Sequence, residues 1–152
     1  MQSNLKRGCR GSTMLEFAFV LLPLLAVVLG SIEFDRMLLA YTSLGNAARA
    51  GLRYAIVHGQ YADGAINATT TNNIGQRIQS FSSLGMIDTS GMTITESCTN
   101  GTGPYIHICY EDGTNAIGSR VSVKVSYPYV PLTGFFPWSL TLSSTAKGTI
   151  AF

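Results

Sequence analysis

Charge and histidine are what this chain has least of. Only 12% of its 152 residues are charged and two are histidine. No Gly-rich phosphate loop, metal-ligand cluster or nucleophile elbow occurs either, so nucleotide, metal-centred and acyl-transfer chemistries find no set of residues to use. Neither a cofactor nor an enzymatic activity is expected. Asp63, Glu111 and Asp112 read as solvated loop residues, and no side chain is assigned a catalytic or metal-binding role. Ten basic residues face eight acidic ones, but Lys6, Arg7 and Arg10 all precede Ser12, so the remainder is not basic and nucleic-acid binding has no electrostatic support. Low charge is matched by a hydrophobic content of 46%, which excludes disorder, and the length suits one domain with one anchor.

The apolar residues are concentrated near the start. From Gly11 to Ile32 the only ionisable side chain is Glu16, and such a run of about 22 residues spans roughly 33 Å as a helix, enough to cross a bilayer. A carboxylate there costs about 2.5–3.5 kcal/mol at the centre of a membrane helix and less near an end, so its default reading is functional, with an interfacial glutamate as the plain alternative. Lys6, Arg7 and Arg10 flank one side of the run while Glu33, Asp35 and Arg36 follow the other, which places the N-terminus in the cytoplasm and the bulk of the chain outside the membrane. A small-x-small site that would close a secretory signal peptide is missing, because Val28-Leu29-Gly30 and Gly30-Ser31-Ile32 are poor candidates. An uncleaved signal anchor stays open.

Pro23 frees the carbonyl of Phe19 within the run, a defect that membrane helices tolerate. Beyond it, Phe34, Leu38, Tyr41, Gly45, Ala48, Leu52 and Ala55 recur at spacings of three and four, with Met37, Leu44 and Ile56 widening the stripe. The pattern predicts one helix from about Thr13 to His58, stopped by Gly59, apolar all round in its inner half and amphipathic in its outer half. After a polar loop at Tyr61–Ala65, a second helix is expected from about Thr70 to Leu84, stopped by Gly85.

Strand patterns then take over at Met92–Ser97, Tyr105–Glu111 and Gly118–Tyr129, the last with Val121, Val123, Val125, Tyr127 and Tyr129 on one face. Pro128 and Pro131 are expected to end its pairing, Phe135–Trp138 to form an apolar turn, and a closing strand to run from Leu140 toward Phe152. The fold class is therefore α+β: a long N-terminal helix packed on a small antiparallel sheet. Cys98 and Cys109 fall in the outer, oxidising compartment, where a disulfide closing a loop of about 12 residues contributes on the order of 3 kcal/mol and pins Thr99–Pro104 as a hairpin connection. Two buried thiols are the alternative, and a zinc site lacks a fourth ligand beside His107. Arg49 and Arg53, one turn apart, suit either an acidic partner, a solvated face or a cap over the sheet. The aromatics from Tyr127 to Trp138 suit either core or a contact patch.

Gly11 and Ser12 followed by Glu16 resemble the processing site of type IV pilin-like proteins, in which cleavage after the glycine makes the glutamate the fifth residue. More closely, the run Gly11–Pro23 and the stretch Asn46–Ala55 resemble the TadE-like pseudopilins of tight-adherence (Flp) pilus systems. The resemblance implies a leader at 1–11, a transmembrane segment at 12–32, an outer continuation of the helix at 33–58 and an extracytoplasmic α+β domain at 59–152. It also implies a prepilin peptidase cutting between Gly11 and Ser12, and Glu16 setting subunit register against the new α-amino group of a neighbour. The implied partners are other pilins or pseudopilins, the pilus assembly platform and the inner membrane, with no nucleic acid and no cofactor. The major pilin of such systems is much shorter, so the implied role is a minor pilin-like subunit that primes or caps the pilus.

Overall fold

The computed structural model describes residues 10–60, 68–82, 87–88, 91–98, 104–132 and 139–151. The leader up to Cys9, the loop at Tyr61–Ala65, the stop at Gly85, the connection at Thr99–Gly103 and the turn at Phe135–Trp138 lie outside the described residues. Among the described residues, two helices and four strands follow in chain order: α1 (Arg10–Val57), α2 (Ala68–Ser82), β1 (Thr93–Glu96), β2 (Tyr105–Tyr110), β3 (Arg120–Tyr129) and β4 (Leu140–Thr149).

The predicted long helix is a single element of 48 residues that carries Pro23 inside it. Its last turn is tied into the domain by backbone groups that the helix itself cannot pair. Ile56 C=O accepts the N–H of Ala151 at 3.1 Å, and the Gln60 N–H donates to Asn115 C=O at 2.9 Å. The outer half packs on one face of the sheet. Leu44, Ala47, Ala48, Leu52 and Ala55 of α1 meet Ile74 and Ile78 of α2 and the inward row Ile106, Ile108, Val121, Val123 and Val125 in one buried cluster. The alternation expected for β3 is thus present, with its valines inward and Ser122 and Lys124 on the opposite face.

The helices come very close at Gly51, where an added Cβ would sit on the side chain of Ile78. Gly75 of α2 is similarly pressed on Ile94 of β1. Gly148 of β4 would bring a Cβ within 2.7 Å of Ile56. Small residues at these three crossings let both helices lie flat on the sheet. The covered face also differs from the predicted stripe. In the lower part of the outer helix the covered positions are Glu33, Ala40 and Leu44, whereas Phe34, Leu38 and Tyr41 stay half exposed. Where apolar residues surround a helix, periodicity cannot choose a face, and the sheet has settled on the face with alanines and glycine.

The sheet order is β1-β2-β3-β4, antiparallel from β2 to β4 as expected. The expectation of a wholly antiparallel sheet is corrected at β1, which pairs parallel to β2, Thr93 with Tyr105 through Glu96 with Ile108. The sheet is mixed, and the cysteines give the reason. A hairpin closed by residues 97–104 would set Glu96 opposite Tyr105 and leave Cys109 about four residues, roughly 13 Å, further along its strand. A disulfide needs Cα atoms within about 7 Å. Parallel pairing instead sets Cys98 beside the end of β2, where it is bonded to Cys109 with Cα atoms 4.7 Å apart. Pro128 also departs from expectation, since β3 pairs with β4 through Pro128 and Tyr129. Ser126 is the last residue of β3 with a partner on β2, so Pro128 lies where the strand has become an edge, which is where proline is admitted.

Because β1 has four residues and one strand neighbour, the disulfide is its main tether. Replacing Cys98→Ser and Cys109→Ser together is expected to lower stability by about 2–4 kcal/mol, seen as a lower urea midpoint for the detergent-solubilised chain, with amide exchange rising first in Thr93–Glu96. An unchanged midpoint would contradict this.

Candidate assembly interface

The membrane-proximal half of α1 is a bare rod. Met14, Leu15, Phe17, Phe19, Val20, Leu22, Leu24 and Leu25 are all exposed, as are Val27, Val28, Leu29 and Ile32. By length and composition this helix can cross a membrane. Gly11 and Ser12 lie in its first turn. Glu16 projects from the next turn, exposed, with no hydrogen bond or ion pair to any described residue. In water that is unremarkable; in hydrocarbon it leaves a carboxylate without a partner from its own chain.

Glu33, read from the sequence as one of the charges that follow the apolar run, is buried, only 6% exposed. Tyr129 at the end of β3 donates its hydroxyl to Glu33 Oε1 at 2.6 Å and approaches the Glu33 carbonyl at 3.3 Å. The Leu132 N–H donates to the same Oε1 at 3.1 Å, and Arg36 Nη1 lies 3.6 Å from it. One carboxylate therefore holds the end of β3, the chain just past it and the next turn of its own helix. Burial, the hydrogen bond to Glu33 and the negative charge beside it push the Tyr129 hydroxyl up to about 12. Sequence reasoning missed this group because it lies next to Asp35 and Arg36. The signal available was its position in the series 33, 37, 40, 44, 47, which is the face the structure buries.

An apolar pocket of about 310 Å³ opens beside the clamp, lined by Gly30, Phe34, Met37, Tyr129, Pro131 and Leu140 together with Glu33. Val130, Leu132 and Leu140 are exposed at the same end of the sheet. Of the aromatic stretch read as core or contact patch, Tyr129 is core and Tyr127 packs partly buried against it. The disulfide sits at the other end of β2. Neighbouring His107 titrates below its usual range through burial and the charge of Lys124. No group of three or more His, Cys, Asp or Glu that could hold a metal ion occurs among the described residues. Arg49 and Arg53 are exposed on the outer half of α1 and do not cap the sheet.

An apolar helix bare on all sides, rooted by a buried carboxylate in a small disulfide-bonded sheet, fits a single-pass membrane anchor by its length and composition. Residues 11–53, which carry Gly11, Ser12, Glu16 and Glu33, match the family model described as TadE-like protein, in line with the resemblance seen in the sequence; this stretch of the helix is similar to that family. That family is associated with Tad pili and is not a family of enzymes. The match covers the helix and none of the sheet. No curated protein and no solved structure matches the chain.

Removing the Tyr129 hydroxyl isolates part of a buried charge. Tyr129→Phe is expected to cost about 1–3 kcal/mol at neutral pH. The hydroxyl's pKa in the fold exceeds its unfolded value near 10, so the stability it adds is complete below about pH 10 and is lost as pH rises through about 12. Alkaline unfolding curves should fall more steeply across that window for the native chain than for Tyr129→Phe. Parallel curves would show that the clamp does not stabilise the fold.

Proposed function

We propose that this protein is a minor pilin-like subunit that a prepilin peptidase processes between Gly11 and Ser12 and that acts in assembling, priming or capping a Tad/Flp pilus used in adhesion. Before assembly it stands in the inner membrane with residues 1–11 as a cytoplasmic leader, 12–32 in the bilayer, and 33–58 with 59–152 outside. The observation that carries this reading is the length of the bare apolar face. Exposed large apolar side chains run from Met14 to Tyr41, about 28 residues or roughly 42 Å of helix, against a hydrocarbon core of about 30 Å. The excess lies beside the clamped domain, where lipid does not reach. Phe34, Leu38, Leu39 and Tyr41 suit the helices of neighbouring subunits, and a lone anchor would have no use for them.

Glu16 supports the same reading. Cleavage after Gly11 would create an α-amino group on Ser12, one helical turn before the carboxylate. In a bundle of parallel helices the Ser12 ammonium of one subunit meets Glu16 of the next. Paired, both charges are tolerated at lipid depth; out of register, both are stranded. The pair thereby selects one axial stagger between subunits. Its partners are the peptidase, the other pilins or pseudopilins and the assembly platform.

Mass spectrometry of the protein from cells with an active prepilin peptidase is expected to find a chain beginning at Ser12. A chain that retains Met1–Gly11 would overturn the processing step and favour a permanently anchored scaffold. Glu16→Ala is expected to be cleaved normally yet depleted more than tenfold from sheared fibres, since a stranded buried charge costs about 3–5 kcal/mol. Undiminished piliation with that variant would remove the register role.

A further inference from the structure

The outer half of α1 and the exposed side of α2 enclose a groove of about 690 Å³ that the pilus reading does not use. Asn46, Arg49, Arg53 and Tyr54 line it from α1, and Arg77 and Phe81 from α2. The tight crossing at Gly51 against Ile78 brings Arg77 over the Tyr54 ring, its guanidinium carbon 5.8 Å from the ring centroid. Tyr54 is itself stacked on His58, ring centroids 3.8 Å apart. Three guanidiniums thus border one concave surface with no acidic side chain among the described residues of its lining, and none of the three makes an ion pair with a described residue. Like charges gathered in this way oppose folding, and an anion relieves the repulsion.

We infer that this groove is the docking site for a carboxylate-rich segment of a different extracytoplasmic protein. Lipid headgroups are too far below. Arg49 lies about 17 residues beyond Ile32, roughly 26 Å along the helix, while headgroups extend some 6 Å past the hydrocarbon and screening confines their field to about 8 Å. A second copy of this chain offers no group of free carboxylates among its described residues; Asp88, exposed beyond α2, is a single carboxylate with an interaction of its own. Glu111 is held by Lys147 at 3.1 Å, and the Asp112 carboxylate accepts the Arg120 N–H. Glu96 accepts the Thr71 hydroxyl, and Glu33 is buried in the clamp. Glu16 and Asp35 are single carboxylates on the membrane-proximal helix. Arginine, tyrosine and asparagine around a concavity are also side chains suited to forked hydrogen bonds with carboxylates and to stacking. The inference requires only that the domain stands clear of the bilayer, so its failure and that of the pilus reading are distinguishable: the first is read at the groove, the second at the mature N-terminus.

The test places a benzophenone amino acid at Asn46, or in a second strain at Ser43, in the full-length membrane-inserted protein in its own cells. Irradiation is followed by identification of the joined peptide by mass spectrometry. The expected product is one peptide of a different protein, with at least two Asp or Glu close to the attachment point. Its yield should fall at least tenfold in the triple variant Arg49→Gln, Arg53→Gln, Arg77→Gln, with protein level and the Cys98–Cys109 bond unchanged. Arg53→Glu should abolish the product, and lysines in place of the partner's carboxylates should restore it. Attachment to a second copy or to lipid, full yield in the triple variant, or no protein product from either position would overturn the inference.

Discussion

The whole arrangement hangs on one buried carboxylate. Glu33 sits where α1 leaves the sheet domain, and through Oε1 it takes the Tyr129 hydroxyl and the Leu132 N–H while Arg36 balances its charge. Burying a carboxylate is tolerable only when hydrogen bonds and a counter-charge replace water, and both are supplied here by elements distant in sequence. The cost of breaking the set is therefore high and the geometry is narrow. The clamp makes the bare rod and the sheet a single lever, so any stagger imposed on the rod in a bundle carries over to the domain.

The same helix carries a second glutamate that has been left without such provision. Glu16 is 17 residues earlier, about 100° per residue, which turns it some 100° away from Glu33 around the axis. No described group of its own chain reaches it. One carboxylate is satisfied within the molecule and fixes internal shape; the other is unsatisfied within the molecule and calls for a partner outside it. The two residue types are identical, and only the surrounding groups separate the structural role of Glu33 from the assembly role proposed for Glu16.

Much of this was legible in the residues, and the exceptions have physical causes. The long helix, the valine-alternating β3 and the closing strand are strongly periodic, and each emerged within a few residues of its expected bounds. The buried face of α1 between Glu33 and Leu44 was not legible, because apolar residues on every side give no preferred direction. The expected hairpin at β1 conflicted with the expected Cys98–Cys109 bond, and a distance argument along the strand would have exposed the conflict without coordinates. Glu33 escaped notice because its partners, Tyr129 and the Leu132 amide, are 96 and 99 residues away. The proposed processing site rests on resemblance alone, since nothing in its local chemistry distinguishes Gly11 and Ser12 from other small residues.

The length of the apolar face separates an anchor from an assembling subunit more sharply than its composition does. A helix kept only for anchoring need be greasy over the hydrocarbon thickness and gains nothing beyond it. Here the large side chains Phe34, Leu38, Leu39 and Tyr41 remain exposed beside a domain that buries Ala40 and Leu44 on the same helix. The domain covers one face of the helix and leaves Phe34, Leu38, Leu39 and Tyr41 outside it, apolar area that a monomer gains nothing by exposing. On the proposed reading that exposed face interlocks with other helices, and Glu16 near its base, without a partner among the described residues, would fix where along the axis the interlocking is permitted.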